Sequence, residues 1–152
     1  MTTVAYKDGV LAADTMMVRG DEPSYGAVKI FRTEKFLVGM SGGYANIIPF
    51  HHWLLEKELD IDTAGDLHKY WGDVPDYCSG LCALLIDRNG CIWNAVDAPP
   101  VCIPAKMDTI GSGGPYAMGA MSYGASAPDA VRVARKHDIN TGGAVMRISF
   151  ND

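Results

Sequence analysis

Alternating apolar and polar residues divide the first part of the chain into two predicted hairpins. The predicted strands cover residues 3–6, 10–13, 27–32 and 35–40. Lys7-Asp8-Gly9 is typical of the tight turn that joins the first pair, and Thr33-Glu34 is placed to turn the second. Residues 19–26, between the hairpins, are polar and rich in turn-forming residues, which predicts an irregular connection.

Further along, the spacing of apolar residues lengthens and predicts helices. Residues 44–59 carry an apolar face at helical spacing. A shorter helix is predicted to begin after Thr63, because Thr63 and Asp66 have the spacing of a capping box. Two more helices are predicted at about residues 115–123 and 126–137.

A third hairpin and a closing strand complete the pattern. Residues 80–87 form a continuous apolar run, which is typical of a strand buried on both faces. Asn89-Gly90 is a strong hairpin signal, and residues 91–96 form the returning strand. Residues 97–106 are a connection interrupted by prolines, and residues 144–150 are the predicted last strand.

The order of these elements predicts the fold class. Runs of strands separated by helix pairs favour mainly antiparallel sheets rather than a parallel βαβ arrangement. Two facing sheets with helix pairs on their outer faces, an α+β fold in four layers (αββα), would cover every apolar surface. With 152 residues and no repeat or linker, we expect one domain over residues 1–152.

Composition and charge exclude several classes of function. Hydrophobic residues make up 48% of the chain and charged residues 20%, as in a soluble globular protein. A net charge of −5 argues against a nucleic-acid partner or an anionic membrane surface. No apolar run approaches the roughly 18 to 20 residues that cross a bilayer, and no signal-peptide pattern is present. We therefore expect a cytoplasmic protein.

The four cysteines are Cys78, Cys82, Cys91 and Cys102. Their even number is compatible with two disulfides, but there is no secretion signal that would expose them to an oxidising compartment. The spacing of Cys78 and Cys82 is not one of the usual zinc spacings. Because Cys82 and Cys91 fall in strand-like runs, we expect buried free thiols and no metal site.

The N-terminus is the first candidate for chemistry. Removal of Met1 would give Thr2 a free α-amine beside its hydroxyl, which together can act as base and nucleophile. The simpler alternative is that Thr2 and Thr3 begin an edge strand, since threonine favours β-structure. Lys29 has two interpretations as well. Its ammonium could disfavour a charged amine near it, or it could be an outward-facing strand lysine.

Three glycine-containing segments also have two interpretations each. Ser41-Gly42-Gly43 could present an N–H group to an oxyanion, or be only a strand-to-helix turn. Gly111-Ser112-Gly113-Gly114 opens a helix but lacks the spacing and the lysine of a phosphate-binding loop. Asp138 and Thr141-Gly142-Gly143 could simply end a helix.

Taken in order, these segments resemble the proteasome β-subunit family, and within it the bacterial HslV-type peptidases. The matching segments are Thr2-Thr3-Val4, Ala13-Asp14, Val28-Lys29-Ile30, Ser41-Gly42-Gly43-Tyr44-Ala45, residues 110–117 and residues 138–143. They span nearly the whole chain, and their shared order is far more specific than any one of them. Thr141 stands where the family pattern has a serine.

The resemblance implies a threonine-type peptidase of the N-terminal-nucleophile class. It assigns the nucleophile to Thr2, whose own α-amine is the base once Met1 is removed. It also implies that Lys29, paired with Asp14, keeps this amine neutral. The N–H group of Gly42, with that of Gly43, would stabilise the oxyanion.

The remaining implied roles concern the amine and the substrate. Ser112, Asp138 and Thr141 would hold the amine and a water molecule. Met16 and Met40 near the site would suit apolar substrate side chains. No cofactor would be required, although backbone carbonyls around the last helix are candidate ligands for a structural monovalent cation.

The resemblance also implies partners. The expected substrates are peptides or unfolded polypeptides, cleaved inside a homo-oligomeric ring or a stack of two rings, with an AAA+ unfoldase as a candidate partner. Two alternatives remain open at this point. One is a non-catalytic scaffold subunit that keeps Met1, and the other is an N-terminal hydrolase that acts on a small amide.

Overall fold

The strands and helices occupy definite ranges in a computed structural model, which describes residues 2–74, 80–96 and 98–152. The strands are β1 (Val4–Lys7), β2 (Val10–Asp14), β3 (Met16–Arg19), β4 (Glu22–Tyr25), β5 (Ile30–Arg32), β6 (Phe36–Ser41), β7 (Cys82–Asp87), β8 (Ile92–Val96), β9 (Val101–Ile103), β10 (Met107–Ile110) and β11 (Val145–Ile148). The α-helices are α1 (Ile47–Glu58), α2 (Gly114–Ser122) and α3 (Ala127–His137). The 3-10 helices are Tyr44–Asn46 and Ala64–Asp73.

The strands of the described ranges form two larger antiparallel sheets and one separate hairpin. The first sheet has the strand order β10-β1-β2-β11, so the first and last parts of the chain lie side by side. The second sheet has the order β5-β6-β7-β8-β9. Among the described residues, strands β3 and β4 pair only with each other. The antiparallel arrangement predicted from the order of elements is therefore confirmed.

Alternation along the strands decides which layer each side chain enters. Val4 and Leu11 of the first sheet pack against Leu84 of the second sheet, in the core between the sheets. Ala5 and Ala12 point the opposite way, into the cluster formed with α2 and α3. Their small side chains let the helices approach the sheet closely.

Side chains of the second sheet also alternate between its two faces. Phe36, Val38 and Met40 of β6 point away from the first sheet and pack with Phe50 and Trp53 of α1. The 3-10 helix Ala64–Asp73 covers the same face. The layers are thus α2 and α3, the first sheet, the second sheet, and α1 with its 3-10 helix. This is the four-layer αββα arrangement predicted from the sequence.

Two predicted connections contain strands. Residues 19–26 were expected to be irregular, yet Met16–Arg19 and Glu22–Tyr25 pair as the hairpin β3–β4, with Gly20 at its turn at a φ of 61°. Pro23 is compatible with β4, because β3 is this strand's one partner in the described part of the chain and Pro23 lies on an edge strand. The proline-interrupted connection likewise contains β9, at the edge of the second sheet. Asp97 lies outside the described residues.

The predicted strand over residues 27–32 is shorter than expected. Strand β5 begins only at Ile30, so Lys29 precedes the strand instead of lying within it. The Lys29 carbonyl still accepts a hydrogen bond from the Met40 N–H group at 2.9 Å. The helix predicted after Thr63 is a 3-10 helix, and the predicted capping box between Thr63 and Asp66 is present.

The three cysteines among the described residues are free, but they are not all buried. Cys82 is half-buried, whereas Cys91 and Cys102 are exposed, so the prediction of buried thiols is wrong for these two. The reason is local, since β8 begins after Cys91 and Cys102 lies on an edge strand. Cys78 lies outside the described residues. Within the part of the chain that the structure describes, no helix is long and apolar enough to cross a membrane.

Candidate active site

The carboxylate of Asp14, at the end of β2, lies directly beside Thr2. This residue is fully buried and accepts five hydrogen bonds. Its Oδ1 atom accepts from Thr2 Oγ1 at 2.7 Å and from Lys29 Nζ at 2.9 Å. The Thr3 N–H group adds a third bond to the same oxygen at 3.0 Å. The Thr2 hydroxyl and the Lys29 ammonium therefore share one acceptor atom.

Main-chain donors hold the second oxygen of Asp14. Oδ2 accepts from the Met16 N–H group at 3.3 Å and from the Gly142 N–H group at 3.0 Å. Met16 begins β3, and Gly142 lies in the loop before β11, so the carboxylate links three parts of the site. With five donors around it, the carboxylate has no lone-pair site left over, and an added proton would displace a donor.

Lys29 is almost wholly buried beside this carboxylate. Burial lowers the pKa of the Lys29 ammonium from its ordinary value of 10.5, while the hydrogen bond and charge of Asp14 oppose that shift. The carboxylate of Asp138 opposes it further. Because the Thr2 hydroxyl and Lys29 bond the same oxygen, the lysine side chain lies next to Thr2.

A second carboxylate, that of Asp138, is linked to the nitrogen of Thr2. Asp138 Oδ2 accepts from Thr141 Oγ1 at 2.6 Å and from Ser112 Oγ at 2.7 Å. Ser112 Oγ in turn accepts from the Thr2 nitrogen at 3.3 Å. Burial alone would raise the pKa of Asp138, but the two hydroxyls and the Asn140 N–H group lower it below its ordinary value.

Strand register places Ser112 next to Thr2. Val4 of β1 pairs with Ile110 of β10, so the loop that follows β10 passes the residues that precede β1. In that loop, the Gly113 N–H group donates to the Thr2 carbonyl at 3.2 Å. The ladder between two strands therefore fixes a contact between residues 110 positions apart.

A cleft of about 390 Å³ opens beside Thr2 and Lys29. Residues 16–19 of β3 line it on one side, and residues 40–45, the end of β6 and the following turn, also contribute to it. Gly42 in this turn has a φ of 112°, which only glycine adopts readily. Within the described residues, no acceptor bonds the Gly42 N–H group. The cleft thus offers an unpaired donor close to apolar side chains.

The structure brings the candidate residues predicted from sequence together in one place. Asp14 and Lys29 lie on the hydroxyl side of Thr2, and Ser112, Asp138 and Thr141 lie on the side of its nitrogen. The cleft is lined by Met16, Met40, Gly42 and Gly43.

Some contacts were not foreseen from the sequence. These are the direct bond from the Thr2 hydroxyl to Asp14, the Thr3 side chain, and Val18 and Arg19 in the cleft wall. The position of the Thr3 side chain could have been predicted from strand alternation. Residues 3 and 5 of an extended chain point to the same face, and Ala5 packs against α2 and α3.

Solved structures identify the fold class of this chain. The chain has the fold of the HslV and proteasome-like peptidases, over nearly its whole length. Eukaryotic HslV from Trypanosoma brucei superposes with a TM-score of 0.76 at 18% identity, covering 97% of each chain. At this level of identity the likeness is one of fold.

Thiobacillus denitrificans BPH gives a similar result. It superposes with a TM-score of 0.72 at 22% identity, covering 97% of this chain and 95% of that one. The same protein in complex with Epoxomicin gives a TM-score of 0.70 at 23% identity, covering 97% and 96%. No protein-family model and no curated protein sequence matches the chain.

Proposed function

We propose that this protein is a threonine-type peptidase whose nucleophile is Thr2, exposed by removal of Met1. One observation carries the proposal: the two functional atoms of Thr2 are held by separate networks at the edge of a cleft. Its hydroxyl donates to Asp14, which also accepts from Lys29. Its nitrogen donates to Ser112, which in turn donates to Asp138. A threonine that merely began a strand would need neither network.

The networks suit the chemistry of an N-terminal nucleophile. Ser112 gives its only hydroxyl proton to Asp138, so it can only accept from the Thr2 nitrogen. A free amine held in this way keeps its lone pair for the proton of the Thr2 hydroxyl. The charge of Lys29 favours the neutral amine, which is the form that can act as a base. Asp14 also accepts from four other donors, one of them the Lys29 ammonium, and these favour its ionised form. It therefore fixes the hydroxyl and is not the proton acceptor.

The reaction then proceeds in two halves. The Thr2 hydroxyl rotates its proton from Asp14 to the α-amine, and Thr2 Oγ1 attacks the scissile carbonyl as the amine takes that proton. The oxyanion is stabilised by the Gly42 N–H group with Gly43 beside it. The amine gives that proton to the leaving nitrogen, which leaves an ester on Thr2. Water, deprotonated by the same amine, hydrolyses the ester and restores the enzyme. No cofactor takes part, and a structural monovalent cation near the last helix is compatible with this scheme.

The proposed substrates are peptides or unfolded polypeptides, whose apolar side chains would lie against Met16 and Met40 in the cleft. We also propose a homo-oligomeric ring, because the HslV and proteasome-like fold supports that assembly. An AAA+ unfoldase remains a candidate partner on the same grounds.

A covalent probe tests this function directly. A peptide epoxyketone reacts with a hydroxyl and a free amine together, and a BPH structure in complex with Epoxomicin supports that choice of reagent. We expect intact-mass measurement to show loss of Met1 and addition of one Epoxomicin molecule. Thr2→Ala should abolish both the adduct and hydrolysis of fluorogenic peptides, whereas Thr2→Ser should keep some of each.

The matched control is Thr33→Ala, which removes another buried threonine hydroxyl outside the cleft. The Thr33→Ala variant should form the Epoxomicin adduct to the same extent as the unmodified protein. If protein made with normal methionine aminopeptidase kept Met1 and formed no adduct, the peptidase proposal would be wrong. That result would favour the non-catalytic scaffold.

A further inference from the structure

The Thr3 side chain has no part in the mechanism above, yet it is completely buried at the site. Its Oγ1 atom lies 2.7 Å from Thr141 Oγ1. Gly113 makes room for it, because a Cβ atom there would overlap Thr3 Oγ1 and lie 2.8 Å from Thr141 Oγ1. The close packing of these three residues leaves the Thr3 hydroxyl little freedom.

The direction of the hydrogen bond between the two threonines can be deduced. Thr141 has one hydroxyl proton, and it donates this proton to Asp138 Oδ2 at 2.6 Å. An ionised carboxylate has no proton to offer, so the reverse direction is excluded. Thr141 must therefore accept from Thr3 Oγ1, and the chain runs from Thr3 to Thr141 to Asp138.

A second chain of hydrogen bonds reaches the same oxygen atom from the other side. The Thr2 nitrogen donates to Ser112, and Ser112 donates to Asp138 Oδ2 at 2.7 Å. Two neighbouring residues, Thr2 and Thr3, are thus the origins of two chains that end on one atom. A donor at one end of such a chain strengthens the next bond, because each bond polarises its neighbour.

We propose that Thr3 is a positioning residue for this site: its hydroxyl fixes Thr141 and thereby orients the Asp138 carboxylate that holds Ser112 against the Thr2 amine. The proposal rests on the proposed peptidase function for its effect on turnover. Its geometric part concerns only Thr3, Thr141 and Asp138, and can be tested without any activity.

Turnover gives the first test, through paired substitutions at Thr3. Thr3→Val removes the hydroxyl at nearly constant volume, and we expect kcat to fall about tenfold with KM unchanged, the equivalent of one buried hydrogen bond. Thr3→Ser keeps the donor and should retain kcat within about twofold. Thr33→Val removes a buried hydroxyl that bonds Glu58 at 2.6 Å, and should reduce thermal stability without changing kcat.

A double-mutant cycle separates positioning from general damage to the fold. If Thr3 acts through Thr141, then Thr3→Val should lower kcat by less than about twofold once Thr141→Val is present. Additive losses in the double variant would overturn the proposal. So would equal losses of kcat in Thr3→Val and Thr3→Ser.

The pKa of Asp138 supplies a readout that does not depend on catalysis. The hydrogen bond from the Thr141 hydroxyl helps to lower the Asp138 pKa. Thr3→Val should weaken that bond and so raise the Asp138 pKa toward its ordinary value. Titration of the side-chain carboxyl carbon by NMR, assigned with Asp138→Asn, measures the change. If the unmodified protein lacks peptidase activity but this pKa rises in Thr3→Val, the function fails and the positioning role stands. An unchanged Asp138 pKa in Thr3→Val overturns the positioning role, whether or not peptides are cleaved.

Discussion

Two aspartates flank Thr2, and they are held in different ways. Asp14 lies at the end of a central strand, is fully buried, and takes three of its five hydrogen bonds from main-chain N–H groups. Asp138 follows α3, is only partly buried, and binds two hydroxyl groups through one oxygen. One carboxylate faces the hydroxyl of Thr2, and the other is linked to its nitrogen.

The difference between the donors suggests a difference in role. A main-chain N–H group points in a direction that the strand or loop fixes, so the donors of Asp14 cannot turn to another acceptor. A hydroxyl group both donates and accepts, so Ser112 and Thr141 each connect Asp138 to a further donor, the Thr2 nitrogen or the Thr3 hydroxyl. Asp14 is thus suited to holding charge and geometry constant, and Asp138 to orienting the hydroxyl groups beside the Thr2 nitrogen.

The largest effect is expected from Asp14→Asn. The change leaves the buried Lys29 ammonium without its counter-charge and turns an amide toward N–H donors. We expect a loss of about 3–5 kcal/mol in the free energy of unfolding near neutral pH, measured by urea denaturation, together with loss of peptidase activity.

A pH series refines this prediction. Burial already lowers the pKa of Lys29, and removing the Asp14 carboxylate lowers it further. When the pKa of a lysine is lower in the folded protein than in the unfolded chain, its charged form destabilises the fold. Stability is then complete above the unfolded pKa of 10.5 and is lost as the pH falls through the folded pKa. The loss in free energy of unfolding caused by Asp14→Asn should therefore become smaller as the pH rises toward 10.5. A loss in free energy of unfolding that did not change with pH would mean that the unpaired Lys29 ammonium does not cause it.

A steric change at Gly113 should disturb the Asp138 side alone. In Gly113→Ala the new Cβ would overlap Thr3 Oγ1, and we expect a loss of about 1–3 kcal/mol from overpacking and a lower kcat. Gly113 has a φ of −85°, which alanine adopts without strain, so the effect is purely one of contact.

Gly119→Ala, in the helix α2 that Gly113 precedes, is the matched control for this prediction. A Cβ at Gly119 meets nothing within 4 Å, so alanine there should stabilise the protein by about 0.5–1 kcal/mol. Thermal unfolding and kcat, measured for both variants, check the pair. Equal changes in thermal stability and in kcat for the two alanine variants would show that the side chains around Thr3 are not closely packed.

The features that sequence predicted best are those that depend on nearby residues. The faces of β1 and β2 follow from strict alternation, and α3 follows from Ser126, whose side chain caps its first turn. The positions of Thr2, Lys29 and Ser112 depended instead on their order along the chain, which resembles that of a known family. Periodicity alone left each of them with an ordinary structural interpretation.

What the sequence did not predict depends on distant residues. The Gly142 N–H group bonds Asp14 across 128 positions, and the Thr3 hydroxyl meets Thr141 across 138. No local pattern records such contacts, because the packing of sheets and helices decides them. The hairpin β3–β4 was missed for a related reason. The sequence Glu22-Pro23-Ser24-Tyr25 is typical of a loop and becomes a strand only because β3 lies beside it.

Asp138→Asn should separate the two aspartates most clearly. Asparagine keeps the shape but removes the anion that both hydroxyls bond, so we expect kcat to fall about 100-fold. The free energy of unfolding should fall by only about 1 kcal/mol, because the hydroxyls keep a neutral acceptor and the site is partly exposed. A loss of stability as large as that of Asp14→Asn would show that both carboxylates serve the fold in the same way.

The smallest effect is the acid dependence of stability that Asp138 contributes. Its pKa in the folded protein lies below the ordinary value of 3.8, because Thr141, Ser112 and Asn140 donate to the ionised carboxylate and outweigh its burial. For a depressed pKa, the contribution is complete above the unfolded value and is lost as the pH falls through the folded one. The difference in free energy of unfolding between the unmodified protein and Asp138→Asn should therefore be constant above about pH 5 and decline below pH 3.8. Urea denaturation at pH 3 and pH 6 measures it. A difference that grew toward acid would mean that the hydroxyls prefer the protonated carboxyl, which contradicts their assignment as donors.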